Sequence, residues 1–593
     1  MFKLKLSIQL VVAVLLISCT STKQNAQWLV NHVGYEVVGA KNAVLQLTVD
    51  KTPESFQLID SNGKVVYESA FKQGGQIDAW DTGKAWAADF SEFKTAGEYR
   101  LKTKIGHRTI ESPTLVIGEQ ILARELMSLL TQGIKSQRSA EAFDEKDKRM
   151  TFHGDRKDTV DVSGGWYDAS GDRSKYLSHL SYANYMNPQQ APMVVWNFLA
   201  SSERISNYKG PNADALKQSL LDEAIHGADW LVRMQDKEGY FYLNVFDYWS
   251  WDPEKRSICA YIGIEGVKND NYKSGYRMGG GMSIAALARA SRDGVSGVFS
   301  SSDYLRTAKK GFDYLEANNT KILPNGQENM IDDYCALMAA NELYLATNDA
   351  KYLQAARKRM QSLIGRITTD EQVKGFWRSD ATGERPFFHA CEAGLPIVSL
   401  VRYLEVEKDE TLRMQAINAI RQSVDFELWI TSEVNNPFGY ARQYVKATNE
   451  DKKRTAFFMA QNNETGYWWQ GENARLASLA SAMFFAQNYL TSEQQMQSKK
   501  FAVDQLNWIL GVNPYDMCMV EGIGRNNPEY LENGVSKNVL GCVCNGITAA
   551  VGNEKNITFL PYPQREDPAN KWRWSEQWLQ HGSWLLMALA ASL

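Results

Sequence analysis

Glu223-Ala-Ile-His-Gly-Ala-Asp-Trp-Leu-Val-Arg-Met-Gln235 is the stretch that decides the fold class of this 593-residue chain. Its apolar residues recur three and four positions apart, with charged residues between them, which predicts an amphipathic α-helix. About twelve segments share this helical spacing, and they span 123–135, 192–206, 214–235, 281–292, 302–318, 332–347, 350–366, 396–406, 412–430, 474–488, 493–510 and 575–592. Because no alternating strand pattern interrupts them, we expect residues 119–593 to form a mainly α toroid of paired helices. Its Gly-, Asp- and Trp-rich loops would form one face where chemistry takes place.

Residues 28–118, which precede these helices, have the sequence character of a small β-sandwich. Ala43-Val-Leu-Gln-Leu-Thr-Val49 and Glu98-Tyr-Arg-Leu-Lys102 are β-branched or alternate apolar and polar residues. Turn residues such as Asp60-Ser-Asn-Gly63 separate such runs. About seven short strands in a segment of this length favour a sandwich.

The start of the chain carries the marks of an export signal. Lys3 and Lys5 precede the apolar run 10–17, which is too short for a stable transmembrane helix and is typical of a secretory signal peptide. The ending Leu16-Ile17-Ser18-Cys19 resembles a bacterial lipobox, in which Cys19 is lipidated. A plain signal peptide with an incidental cysteine is the alternative.

We therefore expect residues 1–19 to be a lipoprotein signal peptide and residues 20–27 to be a polar tether. No later segment reaches about 18 uninterrupted apolar residues, so membrane contact is expected through the lipid anchor only. These features predict an exported protein at the bacterial outer membrane, on its periplasmic or surface face.

The composition excludes some partners. The net charge is −4 and the basic residues are dispersed, whereas a nucleic-acid-binding face concentrates them, so no nucleic-acid partner is expected. The 17 Trp and 27 Tyr supply flat rings that stack on sugars, although the core of a large helical protein would also use them.

No His, Cys and carboxylate residues have zinc-site spacing, so no metal site is predicted. Six cysteines after the leader lack CxxC pairs and are expected to be buried thiols, with a disulfide left open: Cys259, Cys335, Cys391, Cys518, Cys542 and Cys544.

The segment Gly164-Gly-Trp-Tyr-Asp-Ala-Ser-Gly-Asp172 contains the strongest chemical signal. Asp168 and Asp172 stand four residues apart in a glycine-bearing turn. Both carboxylates can therefore converge on one water, one accepting its proton and the other orienting it. Trp166 and Tyr167 would supply an apolar wall against the substrate. An Asx-turn or a cation site is the alternative for such a turn.

A further carboxylate stands out near the end of the chain, in Trp572-Arg-Trp-Ser-Glu-Gln-Trp-Leu-Gln-His-Gly-Ser583. Glu576 is expected in the first turn of the terminal helix, where the helix dipole and the aromatic surroundings shift its pKa in opposite directions. A carboxylic acid whose pKa is raised by burial can protonate a leaving oxygen. The alternative is an ordinary negative charge at a helix N-terminus.

Together these segments resemble glycoside hydrolase family 9, the (α/α)6-barrel family of cellulases and related exo-glycosidases. The segment 164–172 looks like the family's Gly-Gly-x-Tyr-Asp-Ala-Gly-Asp motif with one residue added between the acids. Asn507-Trp-Ile-Leu-Gly-Val-Asn-Pro514 resembles its late Gly-x-Asn-Pro motif, and Ser575-Glu576 through Ala591 matches its C-terminal helix. Trp28-Leu-Val-Asn-His-Val-Gly-Tyr35 looks like part of the immunoglobulin-like module that precedes many family catalytic domains.

The resemblance implies an immunoglobulin-like β-sandwich over 28–118 and an (α/α)6 barrel over 119–593. It assigns Asp172 as general base, Asp168 as the residue that orients the same water, and Glu576 as general acid. It also implies an inverting mechanism, in which acid and base carboxylates are roughly 6.5–9.5 Å apart. No cofactor is implied, although some relatives carry structural calcium, for which the sequence identifies no site.

Some residues depart from the pattern of the common cellulases. The spacing between the aspartates is one residue longer, and Gly524-Arg-Asn-Asn-Pro528 stands where Pro-His-His-Arg follows the Gly-x-Gly of those cellulases. The longer spacing, together with Trp468-Trp-Gln-Gly-Glu-Asn-Ala-Arg-Leu476 and Asn436-Pro-Phe-Gly-Tyr-Ala-Arg442, looks like the exo-acting glucosidase and glucosaminidase branch of the family. The candidate sugar contacts in polar and aromatic loops are His389, Tyr440, Arg442, Trp468, Trp469 and Glu472. Glu464 and Glu472 are rival acids, but both precede the Asn-Pro motif, whereas the family acid follows it.

The expected function is therefore hydrolysis of β-1,4-linked glucosyl or glucosaminyl residues in an oligo- or polysaccharide, favouring exo action. The first alternative is an endo-β-1,4-glucanase acting on cellulose, mixed-linkage glucan or xyloglucan. A remote alternative is a glycan-binding lipoprotein that keeps the barrel without catalysis, which the presence of all three carboxylates disfavours.

Overall fold

The structure is a computed structural model that describes residues 25–466, 470–532, 534–562 and 564–593. The predicted signal peptide, the lipidation site Cys19 and most of the tether lie outside the described residues, as do Trp468 and Trp469. In the described part of the chain, no helix is both long and apolar enough to cross a membrane.

The first described segment folds into two packed β-sheets. Ten strands form it: β1 Ala26–Leu29, β2 Tyr35–Glu36, β3 Asn42–Leu47, β4 Ser55–Asp60, β5 Val65–Ala70, β6 Gln73–Gln76, β7 Lys84–Asp89, β8 Gly97–Ile105, β9 Arg108–Glu111 and β10 Leu115–Gly118. One sheet has the order β1-β3-β7-β6 and the other β2-β10-β8-β4-β5, with β9 paired to β8. The sequence predicts about seven strands; very short strands such as β2 are too brief to show a pattern of their own.

Fourteen α-helices follow within the described residues. They are α1 Ile121–Lys135, α2 Glu141–Asp147, α3 Ala191–Arg204, α4 Ala213–Arg233, α5 Gly281–Arg292, α6 Ser301–Ile322, α7 Met330–Thr347, α8 Ala350–Ile364, α9 Leu395–Val406, α10 Glu410–Ser432, α11 Asn473–Ala486, α12 Ser492–Ile509, α13 Trp572–Ser575 and α14 Leu579–Ala591. All except α2 and α13 are at least twelve residues long. These twelve long helices are the ones that the periodicity predicts, because α2 and α13, with seven and four residues, are too short to show it.

The long helices form two concentric rings. The helices α3, α5, α7, α9, α11 and α14 pack side by side in that order, and α14 packs back against α3 to close the inner ring. The other six pack outside them, with α1 against α14. Every residue of the inner helix α14 is buried, whereas the outer helix α6 buries one face only. A helix surrounded by other helices is buried on every side, whereas an outer helix keeps one exposed face, so the two rings differ in their pattern of burial.

Inner and outer helices alternate along the chain, so all inner helices run in the same direction. The segments that precede inner helices therefore gather at one end of the barrel. Except for 323–329, which precedes α7, these segments are long. They contain the short strands β11 Lys175–Tyr176, β12 Phe241–Tyr242, β13 Asn244–Phe246, β14 Ser257–Ile262, β15 Val267–Asn269, β16 Lys273–Ser274, β17 Ile367–Thr368, β18 Phe376–Trp377, β19 Gln443–Val445, β20 Arg454–Ala456, β21 Leu531–Glu532, β22 Val535–Ser536, β23 Thr548–Ala550 and β24 Asn553–Thr558. The segments at the opposite end are short, so functional loops concentrate at the first end.

Trp80 fixes the sandwich to the barrel. Its ring is 2% exposed and lies 4.8 Å from the Phe457 ring and 6.2 Å from the Trp508 ring, centroid to centroid. Asn31 of the sandwich donates a hydrogen bond to Asn507 Oδ1 over 2.9 Å. The two domains therefore share one continuous apolar interface with polar contacts at its edge.

Replacing Trp80 with alanine is expected to lower the free energy of unfolding by about 3–5 kcal/mol, because it opens a large cavity in this interface. Urea denaturation followed by circular dichroism would measure the loss. The matched control is Trp429→Ala on α10, whose side chain is 41% exposed. That change should stay within about 0.5 kcal/mol, and an equal loss in both variants would contradict the role given to Trp80.

The six cysteines of the described chain are all buried, and none of them forms a disulfide. This agrees with the expectation of buried thiols. Burial raises the pKa of each, for example to about 12 for Cys259 and Cys542, so the thiolate forms are disfavoured at neutral pH.

Candidate active site

Asp168, Asp172 and Glu576 meet in one cavity at the end of the barrel where the long segments gather. The cavity has a volume of about 350 Å³. Its described lining residues are Asp168, Gly171, Asp172, His179, Leu180, Trp249, Tyr261, Gly263, Ile264, Gln470, Tyr530, Glu532, Pro568, Ala569, Trp572, Glu576 and Trp578. Two carboxylates from the start of the barrel thus face one from its end.

Backbone pairing holds these two parts of the chain together. Ala169 and Trp578 form an antiparallel bridge. Next to it, the Ser170 amide donates to the Gln577 carbonyl over 2.9 Å, and the Leu579 amide donates to the Asp168 carbonyl over 2.9 Å. Because these contacts flank the carboxylates on both sides, the relative position of the three acids is set by main chain rather than by flexible side chains.

Asp172 has the surroundings of a general base. Its carboxylate accepts hydrogen bonds from the Ser174 amide over 2.7 Å and from the Tyr176 hydroxyl over 2.9 Å. Burial raises the pKa of Asp172 to about 6, and the nearby Asp247 carboxylate adds to the rise, while both hydrogen bonds oppose it. The group is therefore ionised at neutral pH and has a pKa close to the value at which a base works best.

Asp168 is held by the indole of Trp578. Trp578 Nε1 donates to both carboxylate oxygens of Asp168, over 3.2 and 3.1 Å. Burial and the charge of Asp172 raise the pKa of Asp168 well above its ordinary value. His179 Nδ1 is 3.5 Å from Asp168 Oδ2, and burial lowers the pKa of His179 to about 3, so its ring is neutral.

Glu576 lies in the extended link between α13 and α14, with φ −60° and ψ 139°. The prediction that it occupies the first turn of the terminal helix is therefore wrong, because α14 begins three residues later at Leu579. Burial, and then the charges of Asp172 and Asp168, raise the pKa of Glu576 well above its ordinary value. A protonated Glu576 next to an ionised Asp172 is the division of states that an acid and a base require.

Gly171 allows this close approach. A Cβ atom at this position would clash with Glu576 Oε1 and lie 2.8 Å from the Tyr530 hydroxyl oxygen, so any side chain would displace the acid. The backbone amide of Gly171 also forms a hydrogen bond with the Glu576 carboxyl, which partly opposes the rise of its pKa.

Aromatic side chains line the cavity around the acids. Trp249 packs edge-on against Tyr261, with 5.6 Å between ring centroids, and Tyr530 and Trp572 line the cavity as well. The surfaces are the kind that pack on the apolar faces of sugar rings. The sequence motifs do not assign these residues or His179 to the site. The one available signal is the aromatic cluster Tyr248-Trp-Ser-Trp251 directly after an apolar strand.

Comparisons with known proteins agree with this geometry. The model of glycosyl hydrolase family 9 matches residues 128–540, well over half of the chain. The chain belongs to glycosyl hydrolase family 9. A second model, the cellulase N-terminal ig-like domain, matches residues 23–106 of this family 9 chain, so the sandwich is immunoglobulin-like and the helical domain is the family's (α/α)6 barrel.

The individual relatives are distant. The chain is 22% identical over 418 residues to Endoglucanase A of Bacillus pumilus and 27% identical over 169 residues to a cellodextrinase of Butyrivibrio fibrisolvens. These alignments cover 64% and 26% of this chain, and it spans 52% and 29% of the length of those proteins.

Solved structures share the whole architecture. A metagenome-derived family 9 endoglucanase superposes with a TM-score of 0.64 at 19% identity, over 96% of this chain and 100% of that one. The structure described as Bacteroides ovatus GH9 gives a TM-score of 0.64 at 18% identity, over 95% and 98%. At this identity the likeness shows the shared fold.

Trp166 and Tyr167 of this family 9 chain do not reach the cavity, which corrects their predicted role as a substrate wall. Trp166 is 1% exposed, and its Nε1 donates to Glu223 over 3.1 Å within the packing of α3 on α4. Tyr167 is buried, and its hydroxyl contacts the backbone of Ala140. The turn directs its acids toward the cavity and its aromatic residues into the core, which spacing alone does not reveal.

His389, Tyr440, Arg442 and Glu472 are also absent from the described cavity lining, so their predicted sugar contacts are not seen. His389 is fully buried, and its Nδ1 accepts from the Cys391 amide over 3.1 Å. Tyr440 and Arg442 are held by other buried residues. Tyr440 packs on Trp508 at 4.6 Å between ring centroids, and Arg442 donates to the Ile430 carbonyl over 3.0 Å.

The rival acids are ion-paired. Glu472 Oε2 lies 2.6 Å from Arg475 Nε and is 1% exposed. Glu464 is bound by the guanidinium of Arg385. Each carboxylate is held by a neighbouring cation away from the three acids, so neither is placed to protonate a leaving group in the cavity. Among the residues that the structure describes, no group of three His, Cys, Asp or Glu side chains is arranged to hold a metal ion.

Replacing Tyr176 with phenylalanine is expected to shift the acid limb of kcat/KM upward by about one pH unit, because the lost hydrogen bond stabilises the ionised form of Asp172. The pH profile on a soluble aryl glycoside measures this. The matched control is Tyr304→Phe, which removes a hydroxyl that donates to Asp229 over 2.7 Å away from the cavity. A shift of equal size in the control, or a downward shift in Tyr176→Phe, would refute the assignment.

Proposed function

We propose that this family 9 chain hydrolyses β-1,4-linked glucosyl-type sugars with inversion at the anomeric carbon. The observation that carries the proposal is the convergence of Asp168, Asp172 and Glu576 in one aromatic-lined cavity. Their surroundings favour an ionised Asp172 and a protonated Glu576, which are the states of a base and an acid poised for a single displacement.

In the proposed reaction, Glu576 gives its proton to the glycosidic oxygen as the bond from that oxygen to the anomeric carbon breaks. A water molecule attacks the anomeric carbon from the opposite face, and Asp172 accepts the proton that this water loses. Asp168 accepts a hydrogen bond from the same water and orients it. Glu576 and Asp172 end the cycle with exchanged protonation states, and solvent resets both.

We further propose that the enzyme acts at chain ends. A cavity of about 350 Å³ is near the small end of the range for small-molecule sites, and it suits a terminal sugar and its neighbour better than a long chain segment. No Lys or Arg is among its described lining residues, whereas Glu532 adds a fourth carboxylate. Neutral or amino sugars therefore fit this charge better than uronic acids or sulfated sugars.

An endo-β-1,4-glucanase is the second candidate. It is favoured by the names of similar proteins, which include an endoglucanase from Bacillus pumilus and a metagenome-derived endoglucanase. An endo enzyme would use the cavity as one part of a longer open cleft.

Product analysis separates these candidates and tests inversion. On cello-oligosaccharides, the first-formed product followed by proton NMR should be the α-anomer; a β-anomer would exclude inversion. With carboxymethylcellulose, chain-end action should release one short product while the viscosity hardly changes. A fall in viscosity before much reducing sugar appears would show endo action. Chitosan-oligosaccharides and xyloglucan assayed in parallel would identify the accepted sugar.

We also propose export and lipid anchoring through Cys19, on the sequence pattern alone. Labelling with a radioactive fatty acid should mark the wild-type protein and not Cys19→Ser, and the variant should appear in the soluble fraction. Equal labelling of both proteins would refute the anchor.

A further inference from the structure

The loop after β13 is held in an unfavourable backbone conformation beside the active site. Tyr248, Trp249 and Trp251 have φ of 64°, 53° and 57°, the left-handed region that non-glycine residues rarely adopt. Such residues persist when surrounding contacts determine the conformation. Trp249 lines the cavity, so the strained loop sets the position of one of its walls.

Asp247 supplies contacts from inside this loop through both its side chain and its backbone carbonyl. The Trp251 amide donates to Asp247 Oδ2 over 3.0 Å, and the Ser250 hydroxyl donates to the Asp247 carbonyl over 2.5 Å. The Trp251 ring then donates from Nε1 to the Gly171 carbonyl over 2.8 Å, which ties the loop to the turn that carries the aspartates.

The other oxygen of the Asp247 carboxylate reaches the catalytic turn directly. The Ser174 hydroxyl donates to Asp247 Oδ1 over 2.8 Å, and the Ser174 amide donates to Asp172 Oδ1 over 2.7 Å. One serine therefore links the two carboxylates. The pairing of β11 with β13, with Tyr176 opposite Asn244, fixes the same two segments through main-chain contacts.

Asp247 is fully buried, and its charge acts on its neighbours. Asp172 and Arg173 face it from the catalytic turn, and Lys268 faces it from β15. After burial, the Asp247 carboxylate is the largest cause of the raised pKa of Asp172. Among the described contacts, neither cation forms an ion pair with Asp247: Arg173 lies over the Trp251 ring at 3.9 Å, and Lys268 lies over the Tyr248 ring at 4.1 Å.

We propose that Asp247 is a positioning residue that fixes the base Asp172 and the aromatic wall at Trp249 relative to each other. The inference rests on the proposed role of Asp172 as general base. Asp247 is not among the described residues that line the cavity. It acts on the site through Ser174 on one side and through the Trp251 amide on the other.

Asp247→Asn removes the negative charge of the carboxylate while the shape of the side chain stays nearly the same. An asparagine oxygen can still accept from the Trp251 amide and its amide can donate to the Ser174 oxygen, so the loop is expected to keep its conformation. Loss of the negative charge should move the acid limb of kcat/KM downward by about one pH unit, because Asp172 then ionises more readily. This shift is opposite in sign to the one expected for Tyr176→Phe.

Asp247→Ala tests the positioning. Without either hydrogen bond, the loop and the catalytic turn lose their link, and we expect kcat to fall by about 10²-fold and KM for oligosaccharides to rise. Circular dichroism and thermal unfolding would confirm that the variant is folded. If it is not, Asp247→Asn and its pH profile still decide the question.

The matched control is Asp229→Asn on α4. Asp229 is a buried aspartate that accepts from two backbone amides and one tyrosine hydroxyl, and it lies outside the cavity. Its substitution should leave the acid limb in place. An unshifted acid limb in Asp247→Asn, or an equal shift in the control, would overturn the proposal. Wild-type turnover of a β-glucoside and its loss in Asp172→Asn are measured in the same series, so failure of the proposed function would be recognised separately.

Discussion

Asp172→Asn is expected to lower kcat by about 10³- to 10⁴-fold on every β-glycoside that the enzyme accepts, because the amide cannot take a proton from the attacking water. The amide oxygen can still accept from the Ser174 amide, so the fold and substrate binding should be kept. Initial rates on a soluble aryl glycoside and on cello-oligosaccharides would measure the loss.

Two further variants are compared with Asp172→Asn. Asp168→Asn should lose about 10²-fold, since the water is then poorly oriented while the base remains. Asp229 is a buried aspartate outside the cavity, so Asp229→Asn should keep wild-type turnover. Retention of more than about a tenth of the activity in Asp172→Asn would remove it from the role of base.

Glu576→Gln is expected to reduce kcat by about 10²- to 10⁴-fold on cello-oligosaccharides, whose leaving group needs a proton. With a dinitrophenyl glycoside the loss should nearly vanish, because that leaving group departs as a stable anion. The alkaline limb of the pH profile should disappear in the variant, since it reports the deprotonation of Glu576.

Glu472→Gln is the control for this dependence on the leaving group. Glu472 pairs with Arg475 at 2.6 Å and is buried, so its loss should lower stability rather than leaving-group protonation. The acid assignment would be wrong if Glu472→Gln were sensitive to the leaving group and Glu576→Gln were not.

The barrel could be predicted because each of its long helices carries a long stretch of periodic apolar residues. Twelve segments of eleven residues or more repeat a helical spacing, and short-range pattern errors average out over that length. The carboxylates Asp168, Asp172 and Glu576 stand in motifs whose glycines and aromatic residues are close in sequence, and the structure brings all three into one cavity.

The cavity walls could not be predicted in the same way. Whether Trp166 faces the core or the substrate depends on the rotation of a turn. His179 and Trp249 come to line one cavity only through the pairing of β11, β13 and β14. Helix ends are set by local capping contacts rather than by periodicity, and the position of Glu576 just outside α14 follows from the bridge between Ala169 and Trp578.

The closure of the inner ring has a consequence for the path of folding. Trp578 donates to Asp168 from 410 residues away along the chain, so the acid and the base come together only after α14 has packed between α3 and α11. Contacts between such distant residues form late and slowly, because the entropy of closing a long loop is lost before the contacts contribute stabilising free energy. Helices formed locally should appear early in refolding, and hydrolytic activity should return afterwards, in step with α14. Recovery of hydrolytic activity therefore reports the packing of α14 between α3 and α11.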